Sequence, residues 1–401
     1  MALLPVAEAL ERLLEGAEPG GSETVNLSEA FDRVLAVPLH ALRTQPPFDA
    51  SAMDGYAVRA DDIASLPARL SVIGTAPAGR QFTGTVAQGQ TVRIFTGAPV
   101  PDGADTVVIQ ENVRDLGQGL VDVLEPTAPG RNIRAKGLDF KQGDLILNAG
   151  RLLDPAALSL IAAANHAQVE VTSAPLVAII ATGDELLPPG SNPGPDQIIA
   201  SNAYGVAAIA RSVGARVLDL GIAADRKDAI AALVAKALEA RPDVIVTLGG
   251  ASVGDHDLVH EVLSGLGMEL DFWKIAMRPG KPLMFGRLGD TRCIGLPGNP
   301  VASLICSHIF LKPLLAQLAG RSYAPDIRQA VLDRPMSAND QRRDYVRATA
   351  RDTPDGLVAT PFAVQDSSML RTLADANCVI IREPFVPAAE PGSACSVLML
   401  R

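Results

Sequence analysis

Leu176-Val177-Ala178-Ile179-Ile180-Ala181-Thr182 runs apolar to its final threonine and then breaks into Gly183-Asp184-Glu185. Asp243-Val244-Ile245-Val246-Thr247-Leu248 follows the same plan before Gly249-Gly250. Between and around these two segments lie a strand at Arg216–Leu220 and helical patterns at Ala203–Val213 and Asp228–Glu239. Further helical patterns lie near Leu258–Leu266 and Pro300–Leu318, with a short hairpin-like stretch between them. Continuously apolar strands that alternate with helices predict a parallel sheet covered on both faces. In such sheets a ligand crevice opens beyond the carboxyl ends of the strands. The glycine- and acid-bearing turns stand there.

The chain has 401 residues, more than one core usually holds, and its flanks have a different texture. Upstream, Val6–Leu14 and Ser28–Leu35 read as short amphipathic helices, the second capped by Ser28. After Gln45-Pro46-Pro47-Phe48, short alternating stretches separated by Gly, Pro and Asp turns extend to about Asp144. Helix returns at Asp154-Pro155, a capping residue followed by proline in the first turn. A β-rich block is therefore expected as an insertion into an elongated helical domain. From about Ser322 to Arg401 short strands return, as expected of a β-barrel or sandwich. The fold class expected is multidomain α/β plus β. Residues 1–42 and 145–174 form the helical part, 43–144 the inserted β-rich domain, 175–321 the α/β domain and 322–401 the terminal β domain.

Composition narrows the function. The formal charge is −10 and only 4% of residues are aromatic, which argues against a nucleic-acid binder. No apolar run approaches the ~18–20 residues that cross a bilayer, so no membrane association is expected. The N-terminal pattern carries Glu8, Glu11 and Glu15, unlike a signal peptide. Four scattered cysteines (Cys293, Cys306, Cys378, Cys395) without a C-x-x-C pair fit a reducing compartment, and a cytoplasmic location is expected.

Candidate chemistry collects in loops. Gly183 and Gly249-Gly250 let backbone N–H groups approach a phosphate, although each is equally well read as a tight turn. Met277-Arg278-Pro279-Gly280-Lys281-Pro282 is a stiff loop bearing two cations on an acidic protein, which suits an oxyanion. Gly295-Leu296-Pro297-Gly298-Asn299-Pro300 runs straight into a helix that could close over the same crevice. In the β-rich block, Ser51–Ala57 and Asn132–Asp139 place Asp54, Arg134 and Asp139 on glycine-bearing loops. Carboxylates that converge on phosphate oxygens usually hold Mg²⁺, whereas a lone Asp is more often a turn former. His256-Asp257-Leu258-Val259-His260 imitates a zinc-protease helix with Asp for Glu. The shorter acid and a helix start inside the motif argue against zinc there.

Seven motifs taken together resemble the molybdopterin molybdenumtransferase family, the MoeA-type proteins that are similar to the E domain of gephyrin. They are Ser51–Tyr56, Phe95–Ala98, Asn132–Asp139, Thr182–Leu186, Ser252–Asp257, Arg278–Pro282 and Gly295–Pro300, in the family's order from about residue 1 to 320. The resemblance implies a MogA-like molybdopterin-binding α/β domain and a C-terminal β-barrel in an L-shaped, dimerising subunit. It implies insertion of molybdenum from molybdate into adenylylated molybdopterin, with release of AMP and Mg²⁺ as cofactor. Carried over position by position, it makes Asp54, Asp139, Glu185, Asp225, Asp257 and Lys274 catalytic. Of these, Asp54, Asp139, Glu185 and Asp225 are expected to hold the metal. Thr96, Arg134, Gly183, Gly249, Gly250, Ser252, Arg278, Lys281, Pro282, Pro297 and Pro300 are expected to bind substrate. Arg342 and Ser367 in the terminal domain would face molybdate. The implied partners are a second copy of the chain, with shared active sites in which Asp54, Arg134 and Asp139 act in trans, and the molybdopterin adenylyltransferase. Two positions depart from the pattern, Arg278 for a common lysine and Ala251 for a common valine.

Gathered without a cation, five carboxylates would repel one another and at least one would stay protonated. The sequence thus favours a metal-assisted site, with phosphoanhydride cleavage by positioning and charge neutralisation. Two other readings remain: a molybdopterin adenylyltransferase, which would consume ATP unaided, and a non-catalytic gephyrin-like scaffold, which would tolerate Asp225→Ala and Lys274→Ala. A dinucleotide oxidoreductase lacks its G-x-G-x-x-G after the first strand.

Overall fold

A computed structural model describes residues 3–249 and 258–401. The chain divides into two units, one of Met1–Glu23, Asp32–Val34 and Val171–Arg401, the other of Thr24–Phe31 and Leu35–Glu170. The expected helical part, 1–42 and 145–174, is shared between them: residues 1–23, 32–34 and 171–174 fall in the first unit, and 24–31, 35–42 and 145–170 in the second.

In the first unit, six strands lie in the order Arg216–Ala223, Leu176–Thr182, Val244–Leu248, Thr291–Leu296, Met284–Leu288, Glu269–Trp273. The first four are parallel. Met284–Leu288 alone runs against the others, pairing antiparallel with both its neighbours, so the sheet is mixed where a parallel one was expected. The cause is local: only Gly289 and Asp290 separate Leu288 from its partner Thr291, too few for a crossover. The apolar run at 176–182 is explained by burial on both sides. Val177, Ile179 and Ala181 enter one core with the helices Val6–Leu14, Asn202–Arg211 and Pro300–Cys306. Ala178 and Ile180 enter another, with the helices Lys227–Glu239 and Leu258–Gly265.

The helical run Pro300–Leu318 corrects one expectation. Its 19 residues, of mean hydropathy 1.5, are long and apolar enough to cross a membrane, yet 78% of the run is buried inside the protein. Its apolar surface is core. Pro313 offers no N–H to the preceding turn, and Ser307–Leu311 just before it widens into a π-helix.

The terminal strands of this unit close a five-stranded barrel, ordered Arg343–Thr353, Gly356–Pro361, Ile327–Leu332, Ala394–Met399, Cys378–Arg382 and back to Arg343–Thr353. Met277–Arg278 leaves the α/β layer and adds to the barrel, pairing Met277 with Arg343 and Arg278 with Asp344.

The second unit holds a six-stranded sheet in the order Thr106–Ile109, Gly55–Val58, Gln90–Ile94, Ala68–Ala76, Leu120–Val123, Val113–Gly117. Alternate residues feed two cores, Ala57 and Val107 into one, Val58 and Val108 into the other. The helix expected at Ser28–Leu35 is only a 3-10 turn, Leu27–Glu29, without a side-chain cap. Asp32 adopts a left-handed φ of 62° and stops any continuation. The helix Pro155–Ala163 is capped as expected, with Asp154 accepting from Ala157 N–H at 2.8 Å. Asp154→Ala should cost this unit about 1 kcal/mol in chemical denaturation.

Candidate active site

Two adjoining hollows in the first unit collect most of the expected residues. The larger, about 840 Å³, opens at the carboxyl ends of the parallel strands and is lined by Gly183, Glu185, Asp225, Gly249, Pro297 and Pro300. Backbone sterics build it. Gly249 has φ 94°, and a Cβ there would lie 2.7 Å from the carbonyl oxygen of Thr182. At Gly183 a Cβ would meet the folded-back carboxylate of Glu185 at 2.7 Å. Both turns need glycine, and both bring polar groups to the crevice. Asp225 N–H donates to Asp184 Oδ1 at 3.0 Å. Desolvation raises the Asp225 carboxyl above its usual range, with help from the neighbouring charges of Asp184 and Glu185. Leu186, Ile198 and Pro282 supply apolar wall.

The smaller hollow, about 610 Å³, lies between the loop at 277–282 and the barrel, and is lined by Arg278, Lys281, Arg342, Asp344 and Ser367. It shares Pro282, Pro297 and Asn299 with the larger one. Asn299 joins the two walls: its Nδ2 donates to Ser367 Oγ at 3.0 Å, and Val301 N–H donates to Ser367 O at 3.1 Å. Arg347, 1% exposed, fixes the neighbouring segment by donating from Nε to Gln365 Oε1 and from Nη1 to Asp366 O.

The cations of this hollow are less free than the sequence suggests. Four of the five N–H donors of Arg278 are engaged: Nε and Nη2 with Asp344, Nη1 with Asp340 at 3.3 Å and Nη2 with Asn339 at 3.1 Å. Arg342 forks onto Asp340 through Nη2 (2.8 Å) and Nε (3.4 Å). These donors, with the Arg342 backbone N–H, hold the Asp340 carboxyl down at about 2. Asp344 goes the other way, raised by burial that Arg278 only partly offsets. Lys281 makes no ion pair among the described residues.

Other expected residues lie elsewhere. Lys274 lines neither hollow; its ammonium sits 5.5 Å from the Trp273 ring centroid. Gly250, Ser252 and Asp257 lie outside the described residues, as does His256 of the zinc-like motif. Asp54, Thr96, Arg134 and Asp139 belong to the second unit. There Asp54 Oδ1 accepts from both the N–H and Oγ1 of Thr96, each at 2.7 Å, which lowers its carboxyl below the usual range. Arg134 pairs with Ala50 in a short antiparallel ladder beside that loop, whereas Asp139 is anchored through its N–H to Gln45 O. Asp340, Asp344, Asn299 and Arg347 were missed by sequence reasoning. Asp344 and Arg347 stand inside the quoted run Arg342–Arg347, but nothing in one strand says which side chain turns toward a loop 66 residues earlier.

Among the described residues no three His, Cys, Asp or Glu side chains are grouped as a metal site. The Glu185–Asp225 pair in the larger hollow is still suited to Mg²⁺, which often takes one or two carboxylates and completes its shell with substrate phosphate and water.

Comparison with known proteins gives a consistent picture. Residues 4–165 match the MoeA N-terminal region (domain I and II), 178–317 a probable molybdopterin binding domain, and 329–400 the MoeA C-terminal region (domain IV). The molybdopterin molybdenumtransferase of Bacillus subtilis is 35% identical over 99% of this chain and 94% of its own. That of Haemophilus influenzae is 34% identical over 95% of each. The crystal structure of a molybdopterin biosynthesis MoeA protein from Pyrococcus horikosii superposes with a TM-score of 0.84, at 30% identity over 100% of both chains.

Proposed function

The chain belongs to the molybdopterin molybdenumtransferase family, and we propose that it transfers molybdenum from molybdate into adenylylated molybdopterin and releases AMP, in the cytoplasm and with Mg²⁺. The observation that carries this reading is the pair of adjoining hollows, one at a strand-end crevice with carboxylates, the other bearing Lys281, Arg278 and Arg342. A nucleotide-linked pterin needs apolar walls and a place for phosphate. The strand-end hollow offers Leu186, Ile198, Pro282 and Pro297 for the rings, and the Gly183 and Gly249 turns for the phosphates. Molybdate, a small dianion, suits the stiff basic loop beside it.

Mg²⁺, when bound, would neutralise phosphate charge and polarise the bond that breaks; Glu185 and Asp225 are the residues of this unit that would hold it. The remaining work falls to positioning. Asn299 ties the barrel segment at Ser367 to the loop at Pro297, which keeps the two substrates' compartments in register. The dithiolene sulfurs that receive the metal belong to the pterin, so no cysteine is required. All four cysteines are free thiols, and none lines either hollow.

The reading extends to a homodimer in which Asp54, Arg134 and Asp139 of one copy serve the other copy's crevice. The resemblance supports it, as does the Asp54–Thr96 pairing that fixes a charged carboxylate on an exposed loop. The adenylylated substrate would come from a molybdopterin adenylyltransferase, the expected partner. Purified protein given adenylylated molybdopterin, molybdate and Mg²⁺ should release AMP and yield molybdenum cofactor. Consumption of ATP by the protein alone, with no AMP released from the adenylylated substrate, would favour the adenylyltransferase, and cofactor synthesis left intact by both Asp225→Ala and Lys274→Ala would favour the scaffold.

A further inference from the structure

Asp344 forms part of the wall between the oxyanion hollow and a neighbouring one of about 430 Å³ at the barrel end. Its main chain is held from both sides, by Arg278 of the added strand and by Arg382 of the barrel. The residue is 7% exposed. Its two oxygens are treated very differently. Oδ2 takes Nε and Nη2 of Arg278, while Oδ1 is buried and accepts no hydrogen bond among the described residues. A buried carboxylate oxygen without a donor is an arrangement proteins usually avoid.

The charged groups around it come from every element packed against it. Arg278 and Lys281 lie on the 277–282 loop, Asp340 and Arg342 on the segment before the strand. Asp366 borders the oxyanion hollow, while Arg334 and Arg382 border the other. Arg382 donates to the Ser337 and Pro387 carbonyls and Asp366 accepts from Ser368, so neither is directed at Oδ1. The oxyanion hollow is lined by three cations (Arg278, Lys281, Arg342) and two carboxylates (Asp344, Asp366), and Asp340, outside that lining, pairs with both arginines. With Asp340 counted, three carboxylates balance the three cations, and an entering dianion meets two arginines already engaged by carboxylates.

We propose that Asp344 is a positioning residue that takes up one proton when a tetrahedral dianion enters, releasing Arg278 to pair with it. The proton comes from solvent and settles on Oδ1, the oxygen without a donor; no other bond forms or breaks. A dianion beside a buried carboxylate favours its neutral form. Neutral Asp344 holds Arg278 less strongly, and the guanidinium charge becomes available to the anion. The inference rests on the oxyanion reading of this hollow given above.

Calorimetric titration of the full-length protein with sodium molybdate alone tests it. Two buffers of different ionisation heat, between about pH 6 and about pH 9, give the protons taken up per anion. Uptake should approach one proton per anion within part of this range, where affinity falls about tenfold per pH unit as pH rises. Asp344→Asn keeps the shape without the charge, so it should bind without proton uptake, with little pH dependence, and at least about tenfold tighter at the alkaline end. Pairing without uptake and equal wild-type affinity at every pH would overturn the proposal, and so would a wild-type slope retained in Asp344→Asn. The uptake measurement needs no variant, so a misfolded mutant leaves the test intact. If neither protein binds molybdate at any pH, the oxyanion reading fails and takes the inference with it.

Discussion

Replacing Lys281 by alanine should lower kcat/KM for molybdate about a hundredfold, with most of the loss in KM. Arg278 and Arg342 spend their charge largely on Asp340 and Asp344, whereas Lys281 has no such partner among the described residues. A charge-assisted contact of this kind contributes about 1.5–3 kcal/mol, and each ~1.4 kcal/mol is tenfold in rate or affinity. Lys281→Arg should recover part of the loss, because it restores the charge with a different donor geometry. A Lys281→Ala enzyme within about threefold of wild type would show that the oxyanion is held elsewhere.

The second large effect concerns architecture. Gly55→Ala should destabilise the β-rich unit by about 3–5 kcal/mol, measured by hydrogen exchange or denaturant unfolding of the intact protein. A Cβ on Gly55 would sit 2.0 Å from the Val108 carbonyl oxygen and 3.1 Å from Ile109 Cα, both backbone of the adjacent strand. Neither can retreat without breaking the ladder. Gly97 is the contrast. Its φ of 81° strains any other residue, but nothing lies within 4 Å of an added Cβ, so Gly97→Ala should cost only about 1–2 kcal/mol. An equal effect at both sites would refute the steric account. Gly55 stands beside Asp54 in the Ser51–Tyr56 motif, so part of that motif answers to sheet packing.

Much of this was legible in the sequence because burial on two faces leaves an unmistakable trace. Val177 through Ala181 had to be apolar to feed two cores at once, and that pattern alone puts Gly183, Glu185 and Gly249 at strand ends. The loop at Arg278–Pro282 announced itself by stiffness and charge. What stayed hidden depends on pairing across long separations. Asp344 meets Arg278 from 66 positions away, and a cation looks free until its carboxylate is found. The hairpin that makes the sheet mixed turns on a two-residue connection whose strands look like any others. The expected Ser28–Leu35 helix had the right apolar spacing, but spacing does not reveal that Asp32 turns left-handed.

The short strand Met277–Arg278 also bears on how this molecule could be divided or recombined. It borrows its hydrogen bonds from the barrel, so the last eighty residues are not an appendage that could be trimmed away or exchanged with a foreign module. Removing them would strip the Arg343–Thr353 edge from Met277 and the counter-charge from Arg278 in one stroke. An unpaired edge invites aggregation. The loop proposed to meet the oxyanion is thus stitched from two layers of the protein, and any shortened or chimeric version inherits the seam.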